Sequence, residues 1–257
     1  MTAQVKLSVM PTRRILILGG TREARGLANE LDDLGCDVMS SLAGVTENPH
    51  LPQGKVRRGG FGGVDGLTAY LSTERFHQVV DATHPFAAQI SRHAVEACAA
   101  SQTPLLRLER EAWAAQAGDQ WNSVSDFAEA LKQLPLHSKV MLTLGRKEVA
   151  MFFARSDLGG IARMIEPPDV VVPLPFNLIL QRPPFSLDDE MALMKAHHVQ
   201  FLLCKNSGGP RAEKLDAARA LRIPVIVVER PFKPPAHTVH SLEAAVALLL
   251  GSAAHTG

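Results

Sequence analysis

Residues 14–24 read RILILGGTREA, and this stretch determines the class of fold. Its branched apolar run is typical of a strand that is buried on both faces of a parallel sheet. Gly19 and Gly20 then predict a tight turn, and Thr21 is a favourable N-cap for a helix. Apolar residues follow at helical spacing until Gly35, which is a typical helix end. The stretch therefore predicts a strand, a glycine turn and a helix, the first unit of an α/β domain.

The turn between this strand and helix is a candidate nucleotide-binding site. Backbone N–H groups and the positive end of a helix would lie there over a floor of glycine, which suits a pyrophosphate. The spacing is shorter than in the G-x-G-x-x-G pattern, so a βα turn that binds no cofactor fits the motif equally well. Both interpretations stay open on the motif alone. The residues assigned to the cofactor here are Gly19, Gly20, Thr21 and Arg22.

The composition is that of an ordinary globular protein, with 46% hydrophobic and 21% charged residues in a chain of 257. A formal net charge of +1 argues against a general nucleic-acid-binding protein, which needs a marked basic excess. Cys36, Cys98 and Cys204 are far apart in apolar surroundings, which predicts free thiols in a reducing compartment. No apolar run reaches the ~18 residues of a membrane span, and residues 1–14 lack a signal-peptide core. We therefore expect a cytoplasmic protein without a membrane partner.

Predicted strands and helices alternate along the chain, which favours α/β architecture with doubly wound parallel sheets. The pattern restarts after about residue 112. We expect two Rossmann-like lobes with mainly parallel sheets that face a central cleft, a preferred place for ligands. Residues 1–112 would form a nucleotide-binding domain, and residues 113–257 a second α/β domain that binds the substrate. The sequence indicates no oligomeric state.

The end of the second predicted strand bears on the choice between NADH and NADPH. NAD sites usually place an acidic residue there, about 20 residues after the first glycine, to bind the ribose 2′-OH. Residues 39–44 read MSSLAG and contain no carboxylate. Ser40 and Ser41 can donate to a 2′-phosphate, which favours NADPH. If the strand register differs, Asp37 or Glu47 would be the acidic residue. The arginines that could lie near the phosphate are Arg22, Arg57 and Arg58.

A glycine-rich run, GGFGG at residues 59–63, is a second candidate contact with the cofactor. The missing side chains allow the backbone to approach a ligand closely, and an aromatic ring at Phe61 could cover a flat group. A flexible surface loop would have the same composition. The residues assigned to the cofactor here are Gly60, Phe61, Gly62 and Gly63.

The stretch DATHPF at residues 81–86 is predicted to lie at the carboxyl end of a strand, with Pro85 beginning a helix. Ligands of open α/β sheets lie outside these strand ends. Thr83, His84 and Phe86 are therefore candidates to flank a nicotinamide. His84 is also the candidate proton donor, with a bound water as the alternative.

Two predicted strand ends in the second half of the chain combine a cation with a helix start. They read TLGRK at residues 143–147 and CKNSGGP at residues 204–210. A positive side chain beside free N–H groups is a natural receptor for a carboxylate or phosphate. Four arginines at other strand ends would make the cleft locally basic, which predicts an anionic substrate. These arginines are Arg107, Arg110, Arg182 and Arg230. The candidate substrate-binding residues are Arg146, Lys205, Asn206, Ser207, Gly208 and Arg230.

Several other chemistries lack their motifs. The only tyrosine, Tyr70, has no lysine four residues later, and neither a G-x-S-x-G elbow nor a G-x-x-x-x-G-K-[ST] loop occurs. The pairs His197 with His198, on a predicted helix, and His237 with His240, in a predicted loop, lack plausible zinc partners, so no metal site is predicted.

Six motifs are distributed over residues 14–231: LGGTREA at 18–24, GFGG at 60–63, DATHPFA at 81–87, RLER at 107–110 with Trp113, KNSG at 205–208 and IVVERP at 226–231. Together they resemble the precorrin-6A reductase family of cobalamin biosynthesis. The DATHPF run is the most specific of them.

This resemblance implies an NADPH-dependent enzyme that transfers hydride to precorrin-6A, reduces one double bond of the macrocycle and gives precorrin-6B. The many carboxylates of a tetrapyrrole agree with the basic cleft expected from the residues. Three alternatives stay open. They are reduction of the cobalt-containing analogue on the anaerobic route, a reductase with a smaller acidic substrate, and a non-enzymatic NADPH-sensing module.

Overall fold

The structure, a computed structural model, describes residues 13–43, 51–210 and 212–251. The expectations for residues 1–12 and for Glu47 lie outside these ranges. The chain divides into two compact units. The first consists of Met1–Arg110 together with Lys233–Gly257, and the second of Glu111–Phe232.

The described residues form twelve strands and eight helices. In chain order these are β1 (Arg14–Leu18), α1 (Arg22–Asp33), β2 (Asp37–Leu42), β3 (Lys55–Arg58), α2 (Gly63–Glu74), β4 (Gln78–Asp81), α3 (Ala88–Ser101), β5 (Leu105–Leu108), β6 (Trp121–Val124), α4 (Phe127–Lys132), β7 (Lys139–Thr143), α5 (Val149–Phe153), β8 (Gly159–Met164), β9 (Phe176–Leu180), α6 (Leu187–Ala196), β10 (Phe201–Lys205), α7 (Glu213–Ala220), β11 (Val225–Val228), β12 (His237–Val239) and α8 (Leu242–Gly251).

The first unit contains a six-stranded parallel sheet in the order β12-β5-β4-β1-β2-β3. Strand β1 lies inside this sheet, and both of its faces are covered. Ile15 and Ile17 pack in one apolar cluster with α1, whereas Leu16 and Leu18 pack in another with α2 and α3. The continuous apolar run of β1 is thus explained by burial on both sides, as the sequence predicts.

The carboxyl-terminal segment belongs to the first unit, which corrects the predicted domain division. Strand β12 pairs with β5 in parallel register, with Val239 opposite Leu108. Helix α8 then packs against α1, and Leu249 joins the same buried cluster as α1. Residues 237–240 were expected to form a loop. A three-residue edge strand has too few alternating positions to be distinguished from a loop, and its partner is distant in the sequence.

The second unit contains another six-stranded parallel sheet, in the order β6-β11-β10-β7-β8-β9. Its interior strand β10 is fully buried at Leu202, Leu203 and Cys204. The α/β fold with two mainly parallel sheets is therefore confirmed. The edge strand β6, of sequence WNSV, was not predicted because two polar residues stand in its middle.

All three cysteines are free thiols. Cys98 and Cys204 are buried, and Cys36 is partly buried. Burial raises the pKa of Cys98 to about 12, and the neighbouring Asp81 carboxylate adds to this. None of the helices in the described part of the chain is both long and apolar enough to span a bilayer.

Candidate functional site

The first unit has a cavity of about 510 Å³ at the carboxyl ends of its strands. The ends of β1, β2, β3 and β4 contribute to its lining, together with the beginnings of α2 and α3. Parallel strands meet at this edge of the sheet, and ligands of open α/β sheets bind there. The sequence-predicted cofactor residues that line the cavity are Gly19, Gly20, Ser41, Gly60, Phe61, Gly62, Gly63, Thr83 and His84.

The turn after β1 is shaped by Thr21. Its hydroxyl donates to the carbonyl of Ala82 at 2.8 Å and accepts from the N–H of Ala24 at 3.0 Å. Gly20 has a φ of +114°, which disfavours any residue with a side chain. Thr21 and the exposed Arg22 do not line the cavity, so neither is placed as a cofactor contact. Thr21 instead fixes the turn in which Gly19 and Gly20 present their backbone.

Only one of the two serines at the end of β2 lines the cavity. Ser41 does, and its Oγ accepts a hydrogen bond of 2.8 Å from Arg57. Ser40 is only 2% exposed, and its Oγ has no hydrogen-bond partner. Side chains of a strand alternate between faces, so adjacent serines cannot both point the same way. The assignment of Ser40 to the cofactor is therefore corrected.

No acidic residue lines this cavity in the described ranges. Asp37, one of the two carboxylates considered for the ribose, lies at the opposite end of β2. It pairs there with Lys55 at 2.7 Å and with Arg14 at 3.3 Å. The strand register expected from the sequence is therefore right, and Asp37 is excluded from the cavity.

The glycine-rich run is fixed in place by its neighbours. Arg57 donates to the carbonyls of Gly59 and Gly60, each at 3.0 Å. A Cβ added to Gly66 would lie 1.7 Å from the carbonyl oxygen of Phe61, so α2 and the loop are in direct backbone contact. The alternative of a flexible surface loop does not fit these contacts.

The DATHPF stretch forms a turn whose shape depends on His84. Its Nδ1 accepts from the N–H of Phe86 at 3.2 Å, and its carbonyl accepts from Ala87 at 2.8 Å. The neutral ring then carries its proton on Nε2. These bonds form a turn before the helix, and α3 begins at Ala88 and not at Pro85. Phe86 stacks at a tilt on His84 with 5.9 Å between ring centroids, and it does not line the cavity.

A buried ion pair lies at the end of β4. Asp81 and Arg107 are 1% and 5% exposed, and their charged groups are 3.2 Å apart. The Thr83 hydroxyl donates to the other carboxylate oxygen at 2.7 Å, so this pair fixes a residue of the cavity wall. Arg107 was expected on a basic cleft, but its burial and its partner give it a structural role. An acidic residue within an apolar strand is the sequence signal that such a partner exists.

Sequence reasoning missed several lining residues. Gln89, Ile90 and His93 contribute one side of the first turns of α3, whereas Arg58, at the end of β3, was among the arginines considered for the phosphate. The helix residues have the i, i+1 and i+4 spacing of one helix face. They could have been found by extending the DATHPF motif one turn into the helix that follows it.

The two candidate cations Arg146 and Lys205 in the second unit both have acidic partners. Arg146 lies 3.6 Å from Asp169, and Lys205 forms an ion pair with Glu148. Helix α5 has only five residues and begins at Val149, so Arg146 lies in the preceding turn and not at a helix start. Arg182 and Arg110 are likewise paired, with Glu166 and Glu23. A substrate carboxylate would have to compete with these acidic groups.

The turn after β10 brings the other four substrate candidates together, and Arg230 is bonded to two of the others. Asn206 is 3% exposed, and its amide bonds both backbone groups of Trp113, at 2.8 and 3.1 Å. Arg230 donates to the carbonyls of Asn206 and Ser207 at 3.0 and 3.2 Å. A Cβ on Gly208 would lie 2.0 Å from the carbonyl oxygen of Glu111, which explains the glycine. The cluster is therefore a turn that is held by hydrogen bonds within the protein.

Lys214 is a further polar residue near these strand ends. Its ammonium donates to the Thr143 hydroxyl at 3.0 Å and lies 5.8 Å from the ring centre of Trp113. Burial lowers the pKa of Lys214, and the positive charge of Arg163 adds to this, whereas Cys204 and Glu190 oppose it. In addition to this turn, the unit therefore has a partly buried ammonium that donates to a neutral hydroxyl.

The fold and the cavity define a class of protein: an α/β protein with a parallel sheet and a glycine-lined nucleotide-type cavity at the carboxyl ends of its strands. Residues 14–250 match the family described as precorrin-6x reductase CbiJ/CobK. The chain belongs to this family.

Individual relatives agree with the family match. A precorrin-6A reductase of Rhodococcus erythropolis is 48% identical over 238 residues, which cover 91% of this chain and 96% of the relative. A precorrin-6A reductase of Rhodobacter capsulatus is 42% identical over 233 residues, covering 90% and 93%. The solved structure of a CobK precorrin-6A reductase is 40% identical, with a TM-score of 0.88 and coverage of 95% and 98%. The resemblance noted from the six motifs is confirmed.

Proposed function

We propose that this chain is a precorrin-6A reductase, an oxidoreductase of cobalamin biosynthesis that acts on a CH–CH group. It reduces one double bond of the precorrin-6A macrocycle with NADPH and gives precorrin-6B. The observation that carries the proposal is the family match over residues 14–250, which includes both units.

The cavity of the first unit fits the cofactor. Gly20 lines the cavity just before α1, where a pyrophosphate is stabilised, and Gly19 lines it with its N–H bonded to the Ser41 carbonyl at 2.9 Å. The absence of an acidic residue from the described lining removes the group that would repel a 2′-phosphate. The glycine turn fits either dinucleotide, and the absence of an acidic lining residue supports NADPH over NADH.

The bound cofactor supplies a hydride from its nicotinamide, and the chain supplies position and contacts. Thr83 and His84 are the lining residues placed at the end of β4, and they would orient the nicotinamide. Correct placement alone can lower a barrier by ~7–11 kcal/mol.

His84 serves in this proposal as a hydrogen-bond donor through Nε2. A proton added to Nδ1 would break the bond that Nδ1 accepts from Phe86, and with it the turn. The neutral ring is a weak acid. We therefore favour a bound water as the source of the proton that the product needs, with His84 orienting that water.

The second unit is the proposed substrate-binding unit. Lys214, with its neutral partner Thr143, can bind a carboxylate without displacing an acidic side chain, whereas Arg146 and Lys205 cannot. The turn at Asn206 and Ser207 is bonded within the unit, through its carbonyls to Arg230 and through its N–H groups to Val228 and Lys205, so in this proposal it supports the unit. A multiply acidic tetrapyrrole suits such a surface.

The test is a reaction of the purified chain with NADPH and precorrin-6A, followed by absorbance and by mass spectrometry. We expect NADPH consumption and a product heavier by two hydrogens. The same reaction with cobalt-precorrin-6A separates the two routes. Binding of NADPH without its oxidation by either tetrapyrrole would contradict the proposal and favour a sensing module.

A further inference from the structure

Two adjacent arginines at the end of β3 have different surroundings. Arg57 is partly buried and donates three hydrogen bonds, to the Ser41 hydroxyl at 2.8 Å and to two carbonyls of the glycine-rich run at 3.0 Å. Its guanidinium also lies 3.9 Å from the ring centre of Phe61 and 5.3 Å from that of Tyr70. Both terminal nitrogens of Arg57 are thus committed to the protein, and one face of the group is covered.

Arg58 is exposed and lines the cavity, as Arg57 does not. Among residues 13–43, 51–210 and 212–251, its side chain has no hydrogen-bond or ion-pair partner. The N–H donors of its planar guanidinium are therefore available to a ligand on the cavity side.

Arg58 lies where the adenosine ribose of a bound dinucleotide is expected. Strands β2 and β3 are parallel neighbours, and Arg58 lies opposite Leu42 in their register. Ser41, Leu42 and Ala43 line the cavity beside it. In doubly wound sheets the end of the second strand is where the 2′ position of the adenosine ribose is bound.

We infer that Arg58 determines the preference of this chain for a 2′-phosphorylated nicotinamide dinucleotide, whereas Arg57 is a positioning residue that holds the glycine-rich run and makes no distinction between the two cofactors. This inference rests on the proposed function. A 2′-phosphate carries about two negative charges and can accept two parallel bonds from one guanidinium.

The test measures equilibrium binding of NADP⁺ and NAD⁺ by calorimetry, without any turnover. For Arg58→Ala we expect NADP⁺ affinity to fall about 10- to 100-fold, the range for a lost charge-assisted hydrogen bond, and NAD⁺ affinity to stay the same. The preference should fall less in Arg58→Lys, which keeps the charge without the planar guanidinium. Inorganic pyrophosphate, which lacks a ribose, serves as a probe that Arg58→Ala should not affect.

The neighbouring Arg57→Ala is the matched control, since it removes the same group one residue away. Both dinucleotides should weaken by the same factor, because the loop that binds either of them loses its support. Arg57→Lys reports on this role if Arg57→Ala proves unstable, since lysine cannot bond two carbonyls and a hydroxyl in one plane. Circular dichroism and the melting temperature of each variant establish that it is folded.

The inference is overturned if Arg58→Ala weakens NADP⁺ and NAD⁺ equally, if it changes neither, or if Arg57→Ala is the variant that loses NADP⁺ selectively. The proposed function fails separately, through a wild-type chain that binds NADP⁺ but does not reduce precorrin-6A. A wild-type chain that binds neither dinucleotide would contradict both.

Discussion

At the scale of single residues, most of the arginines and lysines in the described ranges have a hydrogen-bond or ion-pair partner within the protein. Arg107 is paired with the buried Asp81, and Lys205 with Glu148. A sequence shows where arginines and lysines fall along strands, but the partner is chosen by the sheet register, which brings together residues far apart in the chain. The groups that remain for ligands include Lys214, whose hydrogen-bond partner Thr143 is neutral, and Arg58, which has no side-chain partner among the described residues.

Lys214 gives an expectation about pH. Its pKa is lowered by burial, so the unfolded chain binds more protons between that lowered pKa and the ordinary value of about 10.4. The wild-type chain should therefore gain stability as pH rises through this window, and Lys214→Met should not. Denaturant unfolding at several pH values measures the difference in free energy of unfolding between the two.

Relative to the wild type, Lys214→Met should be most stable at neutral pH, and this advantage in free energy of unfolding should decrease under alkaline conditions. The exposed Lys147→Met controls for the general loss of one lysine charge. A difference that stays constant from neutral to alkaline pH would show that the Lys214 ammonium carries no burial cost.

Two glycines in and after the glycine-rich run are required for different reasons. Gly66→Ala would place a Cβ 1.7 Å from the Phe61 carbonyl oxygen, whereas a Cβ on Gly60 meets nothing within 4 Å. We expect Gly66→Ala to destabilise the chain by about 1–3 kcal/mol, the usual range for overpacking. Gly60→Ala should keep its melting temperature and lose dinucleotide affinity, because Gly60 lines the cavity. Equal melting temperatures for both variants would contradict the contact between α2 and the loop.

At the scale of elements, α8 is part of the core of the first unit. Leu249 is 3% exposed in the cluster that α1 and β1 share, whereas its neighbour Leu250 is 36% exposed. Leu249→Ala should destabilise the chain by about 2–5 kcal/mol through loss of burial and a residual cavity. Leu250→Ala should have a much smaller effect in the same thermal or denaturant melt. If the two variants melt alike, α8 does not pack as described.

The elements also show what a sequence can predict. Strands β1 and β10 have continuous apolar runs because their side chains are buried on both faces of the sheet, and this pattern is visible directly in the sequence. Strand β12 has an exposed histidine, a threonine and one buried valine, so its sequence alone does not identify it as a strand. Its pairing with β5 does. The cavity residues in the glycine turns were predicted because backbone conformation requires them. From the sequence, Arg58 was one of three arginines that could lie near the 2′-phosphate. Arg57 and Arg58 have the same side chain and differ only in their neighbours in the fold, so the sequence could not distinguish them.

At the scale of the whole molecule, each unit has its own sheet and its own buried clusters. A ligand bound in the first unit should therefore protect backbone amides there. We expect NADP⁺ to slow hydrogen exchange around residues 18–24, 58–63 and 83–93, and to leave residues 139–164 and 201–228 unchanged. Mass spectrometry of peptides after exchange measures this. Protection confined to the second unit would contradict the placement of the cofactor.

The ion pair between Glu109 and Lys233 has a consequence for protein engineering. These residues lie just before and just after the second unit in the chain, and their charged groups are 2.5 Å apart. The two cut ends left by excising residues 111–232 would thus be neighbours, and a short linker could join them without stretching the backbone. Such a miniature protein would keep all six strands of the first sheet. Truncating the gene after codon 110, by contrast, would remove β12 and α8 and leave β5 as an exposed edge strand that is prone to aggregation.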